Sequence, residues 1–144
     1  MVKRMEFISA EEFLKQPIEV QKVFLDWWKE EKGDLFVLRK EYEEIKHSAE
    51  IRCCNYDLAK MYGIPLFTEG QLRQFIEDKT GCKVAYNIGE LGYQLVLYKF
   101  QKSKNENEEN ICDLYETYEL FPETDLLKSY WKVALEIAKE KVKA

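Results

Sequence analysis

The sequence predicts an α+β fold: a small antiparallel sheet, hairpin plus meander, packed against N-terminal, middle and C-terminal amphipathic helices. Three observations lead there. Apolar residues recur at helical spacing in three separate stretches, around Val20, Leu72 and Leu127. Between the second and third lie "CKVAYNI", "YQLVLYKFQ" and "ICDLYETYELF", short alternating runs punctuated by glycine and a polar loop. The chain is 46% apolar with 3 Trp, 9 Tyr and 8 Phe in 144 residues, enough for one core, so residues 1–144 are expected to form a single domain.

Each element has a local reason. Ser9 with Glu12 three residues on is a capping box that starts a short helix, which Pro17 stops. A second helix follows from Pro17, with Val20, Val23, Phe24, Trp27 and Trp28 on its apolar face and Gly33 as terminator. Leu35–Leu38 reads as a strand. The charged stretch from Arg39 to Glu50 fits a hairpin partner or a helix, and two strands are expected. "NYDLAKMYG" suggests a helical turn or two, capped by Asn55 and closed by Gly63.

Thr68 and Gln71 form a second capping box for a helix over 69–79 that buries Leu72, Phe75 and Ile76 and ends at Gly81. The hairpin turns at "GELG", and a third strand follows "KSKNENEEN". Thr124 is expected to cap the last helix, whose stripe is Leu127, Tyr130, Trp131, Ala134, Leu135, Ala138 and Val142.

Charge narrows the function. A net charge of −5, a total of 22 Lys and Arg against 27 Asp and Glu, and arginines only at positions 4, 39, 52 and 73 argue against direct nucleic-acid binding. Residues 105–125 carry Glu106, Glu108, Glu109, Asp113, Glu116, Glu119, Glu123 and Asp125 and no Lys or Arg. Such a run is either a solvated face or an acidic surface that steers toward a basic partner or imitates a nucleic-acid backbone. No run of 18 apolar residues is present, and the opening "MVKRMEFISAEEF" lacks a signal-peptide pattern, so a cytoplasmic location without membrane association is expected.

The catalytic inventory is thin. His47 is the sole histidine, which excludes a two-His zinc site. Cys53, Cys54, Cys82 and Cys112 stand in no paired spacing and read as free thiols. "TEGQLR" is no phosphate loop, since it lacks the second glycine and the lysine, and Thr68 and Gln71 are better spent on their own helix start. No catalytic residue, cofactor or metal is assigned. Neighbours in a helix lie about 100° apart, which puts Trp27 and Trp131 at the centre of their stripes and Trp28 and Tyr130 on the flanks, as boundary or contact residues.

Three stretches, "EFISAEEFLKQPIEVQKVFLDWWK", "IPLFTEGQLRQFIEDKTG" and "LLKSYWKVALEIAKE", resemble a family of short, uncharacterised proteins encoded by phages and prophages of Bacillus, Clostridium and related Gram-positive bacteria. The resemblance brings no enzyme activity and no catalytic residue. It implies a small accessory protein acting in the cytoplasm of the bacterial host.

Two functions are therefore expected to compete. One is a non-enzymatic protein that binds a basic surface of a host protein and inhibits or modulates it, for example an anti-CRISPR or other anti-defence protein. Its contacts would be Glu106, Glu108, Glu109, Asp113, Glu116 and Glu119, with Trp28, Tyr130 and Arg73 on the aromatic flank. The alternative is a small-ligand binder that sequesters a nucleotide-derived defence signal on Trp28 or Tyr130 beside Arg73. Homodimerisation through an aromatic flank or an open sheet edge is compatible with either.

Overall fold

The computed structural model describes residues 7–29, 31, 34–39, 52–53, 63–89, 92–101, 111–119 and 125–143. Its fold is α+β. Among the described residues there are four helices and two three-stranded antiparallel sheets. The chain groups into two compact units, Met1–Thr68 with Ala138–Ala144, and Glu69–Ile137.

In the first unit, α1 (Ala10–Leu14) starts where the capping box places it, the Glu12 amide donating to Ser9 Oγ at 3.2 Å. Helix α2 (Ile18–Trp27) follows Pro17 directly. Gln21 holds the corner between them, its Nε2 donating to the Gln16 carbonyl at 2.8 Å and the Leu14 carbonyl at 3.3 Å.

The expected extension of α2 to Gly33 does not occur. Trp28 leaves the helix with ψ 115°, although its amide still donates to the Phe24 carbonyl. Asp34 supplies the reason: its Oδ2 accepts from Trp28 Nε1 at 3.1 Å and from the Glu31 amide at 3.0 Å, so one carboxylate satisfies an otherwise buried indole and turns the chain toward β1.

Strand β1 (Leu35–Leu38) is central in its sheet, between β2 (Arg52–Cys53) and β3 (Gly63–Pro65), both antiparallel to it. Phe36 and Leu38 are buried and alternate with half-buried Leu35 and Val37. Gly63 opens β3, and the helical turn that it is expected to close lies outside the described residues. Pro65 is tolerated in β3 because, among the described strands, this one lies at the sheet edge, where a missing N–H costs no ladder bond. The remainder of "NYDLAKMYG", including Asn55, and the segment from 40 to 51, including His47, lie outside the described residues.

Phe67 organises this unit. Its ring centroid lies 6.2 Å from Phe13, 5.7 Å from Phe24, 6.0 Å from Trp27 and 6.5 Å from Trp28. Its carbonyl accepts the Ile8 amide at 2.8 Å, beside a bridge that pairs Phe7 with Thr68.

In the second unit, α3 (Glu69–Thr80) begins one residue after Thr68 and buries Leu72, Phe75 and Ile76, as expected. Gly81 ends it at φ 70°, its amide donating to the Glu77 carbonyl. Glu77 then ties the helix to the next strand, its Oε2 accepting the Val84 amide at 3.2 Å while Arg73 and Lys83 approach its carboxylate at 4.0 Å. Strands β4 (Lys83–Gly89), β5 (Gly92–Gln101) and β6 (Ile111–Glu119) form the meander in that spatial order. Leu95, Val96 and Leu97 are consecutive and all buried, so both faces of the sheet are covered at mid-strand.

Helix α4 (Leu126–Lys143) is capped by Asp125 rather than by Thr124. The Asp125 Oδ1 accepts the Leu127 amide at 2.9 Å and the Lys128 amide at 3.3 Å, because the helix starts at Leu126 and only the preceding residue can reach those donors. Its buried face is wider than the expected stripe. Val133 and Ile137 are buried with Leu127, Tyr130, Trp131, Ala134 and Ala138, whereas Val142 is exposed. Buried Ser129 is satisfied by the Asp125 carbonyl at 2.9 Å.

Two outcomes follow from this geometry. Phe67→Ala is expected to lower unfolding free energy by about 3–5 kcal/mol, read from urea titrations, since it empties the middle of the aromatic cluster. Gly81→Ala meets no steric neighbour, so its cost should be that of the left-handed backbone alone, about 1–2 kcal/mol in the same assay.

Candidate functional site

The acidic meander strand is the first candidate. Glu106, Glu108 and Glu109 lie outside the described residues, and the site is therefore built on β6. This strand is at the edge of its sheet, paired only through β5 among the described strands. Leu97 pairs with Glu116 and Tyr98 with Leu114, so Tyr115 is one extra residue, a bulge.

The bulge changes what the acidic positions can do together. Asp113 pairs with Lys99 and Glu116 with Leu97, which gives positions 113 and 116 the same strand phase, while Glu119, opposite Gln94, has the other. An unbroken strand would have separated 113 from 116. Four consecutive residues, Leu114 to Thr117, are exposed, with Leu114 at 61% and Tyr115 at 54%. Lys99 Nζ lies 5.0 Å above the Tyr115 ring, a cation–π contact on the open surface.

The aromatic flank is corrected. Trp28 is only 2% exposed and Tyr130 is buried, so neither offers a face to a partner or ligand. Trp28 departs from the helical wheel because α2 ends before it, and Tyr130 is covered because the buried face of α4 extends past the centre of its stripe. Tyr130 and Arg73 are neighbours nonetheless. Burial pushes the Tyr130 phenol above its ordinary 10.0, the Arg73 guanidinium partly opposes this, and Glu69 and Glu77 add to it. Arg73 itself is exposed and paired with Glu77.

Thr68, Glu69 and Gln71 are all engaged in interactions, and Thr68 stands at the N-cap position of α3. Cys82 is a buried free thiol. Among the described residues, no group of three or more His, Cys, Asp or Glu side chains is placed to hold a metal ion, and no helix is long and apolar enough to cross a membrane.

A second candidate was not apparent in the sequence. An open groove of about 540 Å³ is lined by Leu14, Ile18, Gln21, Lys22, Leu25 and Arg39. The signal for it is a second stripe on α2, Ile18, Gln21, Lys22 and Leu25 at i, i+3, i+4 and i+7, hidden because its two middle positions are polar. No protein-family model, curated protein or solved structure matches the chain.

Tyr130 sets an alkaline limit. A folded phenol with a raised pKa leaves stability intact below the unfolded value near 10 and loses it as pH rises through the folded one. Urea midpoints of the wild type should therefore fall more steeply above pH about 10 than those of Tyr130→Phe, with the two sharing one slope between about pH 7 and 9.

Proposed function

We propose that this chain is a non-enzymatic binding protein that engages a basic surface of another protein through β6 and the acidic segment leading into it. The observation that carries the reading is the run of four exposed residues on an edge strand. A sheet strand packed on one side hides alternate residues, so exposed Glu116 beside exposed Thr117, regularly paired with Leu97 and Val96 past the bulge, marks a strand open on both faces. A partner strand would pair along the edge of β6 that no described strand occupies, the Leu and Tyr side chains would anchor it, and the carboxylates would steer its approach.

The resemblance to phage and prophage proteins supplies a setting for this chemistry: a host protein in the bacterial cytoplasm, such as a CRISPR effector or another immune component, whose action is blocked by occupancy. The small-ligand reading has lost its aromatic platform, since Trp28 and Tyr130 are buried.

Affinity capture from the bacterial host, with identification of the retained protein, tests the proposal. Binding should weaken as salt is raised from about 0.1 M to about 0.5 M. The joint substitution Glu106→Gln, Glu108→Gln, Glu109→Gln and Asp113→Asn should slow association, and Leu114→Ser with Tyr115→Ser should cost roughly 2–4 kcal/mol of affinity. A partner retained equally by all three proteins would rule this surface out.

A further inference from the structure

Helix α2 carries apolar residues on two opposite faces. Val20 and Phe24 are buried, with Val23 and Trp27 half-buried beside them, and this face meets the Phe67 cluster. On the other side, Ile18 is 78% exposed and Leu25 half-buried, and Leu14 of α1 adds a side chain that is 46% exposed. A surface helix that faced only water there would ordinarily be polar. The Gln21 side chain is occupied by the Leu14 and Gln16 carbonyls, so the corner that shapes the groove is pinned by hydrogen bonds.

Its charge is the opposite of the molecule's. Among the described residues, the two charged ones that line the groove, Lys22 and Arg39, are both cationic, on a chain of net charge −5. Glu19 and Asp26 fall about 100° and about 80° around α2 from Ile18, behind Lys22 and outside the lining. From this pairing of apolar floor and cationic rim we infer that the groove takes an amphipathic helical segment of a partner protein, with apolar side chains at i, i+3 or i+4, and i+7 and carboxylates along one flank. The floor from Ile18 to Leu25 covers about two helical turns, and the groove is open rather than enclosed, which suits a helix laid along it. A second copy of this chain suits it less, because a two-fold contact would set Lys22 and Arg39 against their own counterparts.

A displayed library of helical 16-residue peptides, selected on the full-length folded chain, tests this without reference to β6. Enriched peptides should carry Glu or Asp beside an apolar i, i+4, i+7 stripe, and Ile18→Ser should weaken them by at least about tenfold while circular dichroism and melting stay unchanged. The double variant Lys22→Glu, Arg39→Glu should shift selection toward basic peptides. The inference is overturned by an absence of enrichment, by enriched peptides without carboxylates, by binding indifferent to Ile18→Ser, or by a dimer in sedimentation that Ile18→Ser dissolves.

Discussion

The burial of Phe67 among four aromatic rings is the contact on which the rest of the first unit depends. Helices α1 and α2 have 5 and 10 residues, too short to persist alone in water, and they are held because Phe13, Phe24, Trp27 and Trp28 close on a ring far along the chain. Bringing residue 13 to residue 67 costs loop entropy that grows only slowly with length, so one dense cluster is able to offset it. Phe67 also occupies a narrow backbone position. It follows β3 in the chain and its carbonyl accepts the Ile8 amide, so its backbone is held from both sides while its ring serves α1 and α2.

What the sequence made legible was what neighbours in sequence decide. Ser9 and Glu12, the span and buried face of α3, and the closure at Gly81 each rest on interactions within a few residues, and each occurs as expected. The meander was readable for the same reason, since β4 and β5 join through "GELG" with Gly89 paired to Gly92. Misreadings arose where a partner outside the element ruled. Asp34 takes the Trp28 indole and ends α2 before its periodicity does, and β3 pairs with β1 across a long separation that a three-residue run cannot announce.

The site was legible as composition but not as geometry. Counting carboxylates between 105 and 125 located a charged region, yet the phase of β6 is set by the bulge at Tyr115, which no spacing rule foretold. The groove on α2 escaped for the converse reason: Lys22 and Gln21 interrupt its apolar stripe, and only the placement of Leu14 and Arg39 beside Ile18 and Leu25 turns those residues into one surface.

The two proposed surfaces share a division of labour. In each, exposed aliphatic or aromatic side chains sit beside charged ones, Glu116 and the Lys99 cation over Tyr115 on the meander, and Lys22 and Arg39 among the described residues of the groove. An exposed ion pair contributes about 0–1 kcal/mol, whereas fully covering a Leu or Ile side chain contributes about 1.5–3 kcal/mol. Charge at these surfaces therefore selects which partner arrives, and the apolar groups determine how long it stays. Salt would slow both associations, so salt dependence alone identifies neither surface. The distinguishing residues are the anchors, Leu114 and Tyr115 for one partner and Ile18 for the other.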